Sequence, residues 1–274
     1  EDIRRSWGIA VQLYALRSRA NWGIGDFTCL ALLAENLARR GVSMIGVNPL
    51  HALHSEHGGD SPYFPSSRLF LNVLYIDVEA VPEFANCTAA QELARSPEFR
   101  ERIDRLRKEP LVDYGSVTEI KLRVLEKLYA SFRAENPENA PAERGSAFRR
   151  YREDAGQDLE NYGTFEALSE HLGRETPWWE WPTEFRRPDA AGISDFKKAH
   201  RERVDYFRFL QWEADRQLFG VADTCNKAAM RVGLYGDIAL GTAAYGSEAW
   251  ATQECLCFGT RVGAPPDAFN QLGQ

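Results

Sequence analysis

A chain of 274 residues has room for one large domain or two ordinary ones. With 44% hydrophobic and 27% charged residues, its composition is that of an ordinary water-soluble globular protein. A net charge of −7 argues against a nucleic-acid backbone as partner, and no run of about 18 uninterrupted apolar residues is present to span a membrane.

In chain order, Trp7 to Tyr14 (WGIAVQLY) is a β-branched and aromatic run suited to a buried strand. A loop follows from Ala15 to Gly25, and Asp26 stands where a helix N-cap belongs. Phe27 to Arg40 then reads as an amphipathic helix stopped by Gly41. Val42 to Val47 (VSMIGV) is the next strand, so the order is a βαβ unit with parallel neighbouring strands. Beyond Asn48 comes a polar loop dense in Gly, Pro, Ser and His, carrying the aromatic Tyr63, before a second β-rich run begins at Leu71. Parallel α/β folds place their chemistry on loops at the carboxyl ends of strands.

From 85 to 190 the pattern changes to Lys/Arg/Glu-rich helical periodicity at roughly 97–108, 116–134, 145–154 and 162–172, with no strand signal. This predicts a helical insertion above the sheet, not a separately folding unit. It ends in PWWEWP, whose Trp178, Trp179 and Trp181 serve either as packing between insertion and body or as sugar-stacking surfaces. Ser194 to Gly220 is predicted as one long helix, and Met230 to Leu240 as a strand ending on Asp237. Gly246 to Cys257 suits a short helix, and a fourth strand is conceivable near 256–262. The chain begins at Glu1 without Met or a signal-peptide pattern and stops at Gln274 after a Pro-rich loop, which reads as a segment of a longer polypeptide.

His51, His54 and His57 form HxxHxxH, but Pro49 and Gly58-Gly59 argue against a helix that would put three rings on one face, so no metal site is expected. The five cysteines (29, 87, 225, 255, 257) are odd in number and scattered. That fits reduced thiols in a cytoplasmic protein, with Cys255 and Cys257 a partly buried pair. NWGIG lacks the third glycine of a dinucleotide fingerprint, and no GxSxG, Walker A or kinase signature occurs. Asp237, at a strand end, is either a site carboxylate or a loop cap. Spacing alone thus describes a barrel-like α/β fragment with a polar, aromatic-bearing loop face suited to carbohydrate.

The blocks QLYALRSRANWGIGDF (12–27), NPLHAL (48–53), DSPYFPSSRLFLNVLYIDV (60–78), FLQWEADRQL (209–218), GLYGDIALG (233–241) and GAPPDAF…GQ (263–274) together resemble the 4-α-glucanotransferases. These are the amylomaltases or disproportionating enzymes, relatives of the α-amylases. The resemblance implies an α/β fold, part of a (β/α)8 TIM barrel with a helical inserted subdomain. It divides the chain into first barrel strands with a substrate loop (1–84), helical insertion (85–190) and barrel continuation ending in a substrate lid loop (191–274). It also implies transfer of α-1,4-glucan segments between maltooligosaccharides in the cytoplasm, by retaining chemistry and without metal or organic cofactor. The catalytic carboxylates would lie in a carboxyl-terminal half beyond this segment, which by itself would be inactive.

Six positions transfer as substrate-binding candidates. Tyr63 matches the aromatic platform under the sugar ring being cleaved, and Asp237 the carboxylate that supports the catalytic centre. Asp267 and Gln274 match a mobile loop over bound glucan. Asn48 and Ser61 either touch sugar or shape the loop. A hydrolytic α-amylase relative and a non-catalytic glucan-binding remnant are the alternative readings.

Overall fold

A computed structural model describes residues 6–54, 61–137, 141–260 and 263–273. Three parallel strands form its main sheet in the order β1 (Gly8–Val11), β2 (Met44–Val47), β5 (Gly233–Gly236). Val11 lies opposite Val47, and Val47 opposite Gly236, so all three strands end in line. The residues that leave those ends, Gln12, Asn48 and Asp237, therefore share one edge of the sheet. A short antiparallel pair, β3 (His51–Ala52) with β4 (Ser67–Leu71), stands beside it.

The first crossover forms for local reasons. The Asp26 carboxylate accepts the Cys29 amide at 2.8 Å, satisfying one orphan donor at the start of α1 (Phe27–Ala38). Gly41, at φ +80°, turns the chain out of the helix. The approach loop is buried: Asn21, Trp22 and Ile24 are each at most 3% exposed. Gly25 there passes so close to the Leu13 carbonyl that a Cβ would sit 1.9 Å from its oxygen. Gly25→Ala is expected to cost about 1–3 kcal/mol, a fall of roughly 3–10 °C in Tm; a thermal melt within 1 °C of wild type would contradict that close approach.

Four helices fill the middle of the chain: α2 (Thr88–Arg95), α3 (Pro97–Lys108), α4 (Tyr114–Glu135) and α5 (Glu143–Leu172). The periodicity found α3 and α4, and it divided α5 where Gly156 breaks the helical backbone with φ +53° and ψ −136°. It missed α2, which is eight residues long and has no side-chain cap. The expected long helix from Ser194 is two helices, α6 (Ala191–Ala199) and α7 (Arg201–Lys227). They meet at His200, whose non-helical backbone (φ −113°, ψ 25°) is accompanied by stacking of its ring on Phe196. The last helix is α8 (Ser247–Ala251).

One contiguous apolar core runs from Leu13 through α1, β2 and α2–α7 to Trp250. Along α7, buried glutamines interrupt the apolar face and bond the backbone of β4 and of the segment after it as a strand would. Gln211 exchanges two hydrogen bonds with Leu71 (both 2.9 Å), and Gln217 exchanges two with Asp77 (2.8 and 2.9 Å). Glu83 and Glu213, both buried, share the Arg144 guanidinium at 2.7 and 2.8 Å. Buried charge is tolerated there because it is paired.

Three sequence expectations are corrected. No strand forms over 256–260, where a 3-10 turn (Gln253–Cys255) gives way to irregular chain. Cys255 and Cys257 are exposed, not partly buried, and all five cysteines are free. The predicted strand from Met230 to Leu240 shrinks to Gly233–Gly236, because only those residues lie in register opposite β2. Among the described residues, no helix is long and apolar enough to cross a membrane.

Candidate functional site at the carboxyl ends of the strands

The edge where the three strands end gathers side chains from distant parts of the sequence. Asp237 follows β5 directly, and its amide donates to the Val47 carbonyl at 3.1 Å, extending the β2–β5 ladder by one residue. That bond aims the carboxylate off the end of the sheet into solvent. Its Oδ1 accepts the Ile238 amide at 2.9 Å, and its Oδ2 accepts the Tyr63 hydroxyl at 3.1 Å. The Tyr63 ring is 52% exposed, which leaves a flat apolar face beside a carboxylate. Hydrogen bonding to Asp237 pushes the Tyr63 phenol above its ordinary value, so it stays a neutral donor. Tyr14, whose hydroxyl donates to Gln12 Oε1 at 2.6 Å, stands on the same edge after β1.

The platform is held in place by a turn and a clamp. Ser61 Oγ accepts the Tyr63 amide at 3.4 Å, and its carbonyl accepts that of Phe64 at 3.1 Å, so Ser61 shapes the turn that presents Tyr63. Behind the turn, Glu248 on α8 is 9% exposed and accepts from the Arg68 amide (2.7 Å) and side chain (Nε, 3.0 Å). Arg68 Nη1 also donates to the Leu240 carbonyl at 3.2 Å, tying the arm to the chain after Asp237. Thr242 Oγ1 donates to the Pro65 carbonyl at 2.9 Å, and Gly246 passes where a Cβ would come within 2.4 Å of Ser66 O.

Asn48 does not join the exposed group. It is 7% exposed; its Oδ1 accepts the Leu13 amide at 2.7 Å and its Nδ2 donates to Pro49 O at 2.8 Å. The side chain therefore stitches the ends of β1 and β2 together. Asp267 sits in a loop closed on itself, accepting the Phe269 and Asn270 amides at 2.7 Å each, and those bonds hold its carboxyl below the usual range. Gln274 lies outside the described residues, as does His57.

His51 and His54 diverge. His51 Nε2 accepts the Ala239 amide at 3.4 Å, whereas His54 is buried with Nε2 3.1 Å from Ser169 Oγ. Among the described residues, no group of three or more His, Cys, Asp or Glu is arranged to hold a metal. Of the tryptophans in PWWEWP, Trp178 and Trp181 are buried and donate to the Ala244 and Thr176 carbonyls. Their packing role is plain, and only Trp179, 43% exposed, offers a free face.

Sequence reasoning passed over Gln12, Tyr14, Arg68 and Glu248. The first three lie inside the blocks quoted above, but nothing in their spacing marked them as parts of the region around the strand ends.

The family model described as 4-alpha-glucanotransferase matches residues 11–274. The chain belongs to that family. A 4-alpha-glucanotransferase of Haemophilus influenzae is 34% identical over 281 residues, covering all of this chain and 40% of the relative. Its counterpart in Mycobacterium bovis is 39% identical over 280 residues, covering 99% of this chain and 37% of the relative. The amylomaltase from Corynebacterium glutamicum superposes with a TM-score of 0.74 at 29% identity, covering 98% of this chain and 35% of that one. The amylomaltase from Streptococcus agalactiae, solved in complex with acarbose, has the same TM-score at 21% identity and speaks to the fold alone. This 4-alpha-glucanotransferase family member thus spans about two-fifths of the length of these curated relatives.

Proposed function

We propose that the chain is the amino-terminal part of a 4-α-glucanotransferase barrel that binds α-1,4-glucan at its strand ends. The observation that carries this reading is the Tyr63–Asp237 pair, brought together from 174 residues apart at the carboxyl edge of a parallel sheet. A sugar ring has apolar C–H faces and a hydroxyl rim. An exposed phenol ring beside a carboxylate meets both. In this reading β1, β2 and β5 are the first three strands of a (β/α)8 barrel. Residues 1–84 start it, 85–190 are the helical insertion, and 191–274 continue it. Asp267 and Gln274 belong to a loop that covers bound glucan, Ser61 presents Tyr63, and Asn48 fixes the strand ends behind them.

The reaction is a double displacement, with a carboxylate nucleophile and a second carboxyl as acid then base. Both lie on strands outside this segment, and the enzyme works in the cytoplasm, which the free cysteines support. Asp237 contributes negative charge and a hydroxyl acceptor next to the cleaved ring; Tyr63 contributes orientation.

Tyr63 provides the test, made in the complete enzyme. Aromatic stacking contributes about 0.5–1.5 kcal/mol beyond area burial, so Tyr63→Ala is expected to lower kcat/KM for maltotriose about two- to tenfold with an unchanged melt. Tyr63→Phe keeps the ring and loses only the bond to Asp237, and should fall between the two. Wild-type turnover of maltotriose by the alanine variant would overturn the assignment.

A further inference from the structure

The chain just after β5 is held at three successive peptides, each by a different acceptor. The Asp237 amide donates to Val47 O, the Ile238 amide to Asp237 Oδ1, and the Ala239 amide to His51 Nε2. The first acceptor belongs to the sheet and the second to the candidate site residue itself. The third comes from outside, from β3, and it is the one that a proton can remove. A neutral imidazole has one acceptor nitrogen, and a charged one has none. Ala239 is 1% exposed, so no water stands ready to replace that acceptor.

We infer that His51 is a positioning residue for Asp237. It fixes the Asp237 carboxylate by accepting the Ala239 amide two residues on, and it releases that hold when the imidazole is protonated. The inference rests on the reading of Asp237 as a glucan-site carboxylate.

The surroundings keep His51 in its accepting form. The ring is half-buried beside the Arg68 backbone, and its Nε2 is the nitrogen that meets the Ala239 amide. The charged groups facing it are Arg68 on β4, Glu248 on α8 and Asp237 after β5. Burial is the largest influence and lowers its pKa from the ordinary 6.5; Arg68 lowers it further, while Glu248 and Asp237 oppose. With the folded value depressed, the unfolded chain binds the proton first. The stabilisation from neutral His51 is therefore complete above pH 6.5 and is lost as pH falls through the lower, folded value. Arg68 grips the same loop through Leu240 O and cannot titrate in this range. Acid thus loosens the Asp237 end of the loop while the Leu240 end stays tied.

The experiment compares wild type, His51→Gln and His51→Leu in the complete enzyme. It measures kcat/KM for maltotriose from pH 5 to 8, and hydrogen exchange at the Ala239 amide. Leu leaves that amide unpaired, so at pH 7 His51→Leu should lose about tenfold in kcat/KM, mostly in kcat, with exchange at Ala239 faster by a similar factor. Gln offers an amide oxygen that accepts at every pH. His51→Gln should stay within about threefold of wild type at pH 7 and lose the part of the acid decline that follows protonation of His51, which lies below the ordinary imidazole value. An unaltered acid decline in His51→Gln, or wild-type kcat/KM and exchange in His51→Leu, overturns the inference. If the leucine variant does not fold, the glutamine pH profile decides alone. Asp237→Asn separates the two layers: full activity there sinks the site reading and this inference with it, whereas an impaired Asp237→Asn beside wild-type-like His51 variants sinks this inference only.

Discussion

Asp237→Asn should lower kcat/KM for glucan transfer by about a hundredfold or more, the scale of removing one electrostatic partner of a transition state, while leaving the melting temperature nearly unchanged. Both expectations come from the same geometry. The carboxylate is exposed, so the fold gains little from its charge, and surface substitutions of this kind stay within about 0.5 kcal/mol. Its two oxygens, however, accept from two different donors, the Ile238 amide and the Tyr63 hydroxyl. An asparagine has one acceptor oxygen, so its NH2 would face one of those donors, tilting the platform as well as deleting the charge. Kinetics on maltotriose alongside a thermal melt check this. A large thermal loss with activity per folded molecule preserved would show that Asp237 serves only the loop.

The second large effect lies far from the strand ends, at a buried cation. Lys121, on α4, is 1% exposed, and its Nζ donates to the Leu74 and Ile76 carbonyls at 2.6 and 2.7 Å. It thereby docks α4 onto the backbone that follows β4. Burial pushes its pKa below the ordinary lysine value, and the carboxylates of Asp26 and Asp77 oppose that shift. Asp26, the cap of α1, is raised in turn by its own burial, with Lys121 as the main opposing influence. Lys121→Met preserves length and apolar stem but strands two buried carbonyls and the facing carboxylates. Breaking a buried charged contact this way costs about 3–5 kcal/mol, or roughly 6–20 °C in Tm. A Tm within 2 °C of wild type would show that Lys121 gives nothing net to the fold.

Much of the chain was legible from local chemistry. Asp26, the apolar stripe after it and Gly41 announce α1, because a cap, a periodic face and a residue tolerant of positive φ act within a few positions of one another. The match of α3 to Pro97–Lys108 has the same origin: Ser96 caps it, Pro97 begins it and basic residues fill its last turn. The family, too, was readable from ordered blocks, since each block combines residue types that a loop or strand end needs in one place.

Tertiary structure decided what distance along the chain conceals. Nothing local says that β5 pairs with β2 across all the helices from α2 to α7, and without that pairing Tyr63 and Asp237 are only two polar positions. Pairing also set strand length: Met230 to Leu240 has strand-like sequence throughout, but only the four residues facing β2 are held there. The buried lysine and the two glutamines of α7 look like surface residues in sequence. They are inside because loop carbonyls and amides, arriving from far away, need partners in a core that excludes water. Local patterns fixed the helices and their caps because those bonds close within four residues; the site waited on the packing, because its bonds close across 174.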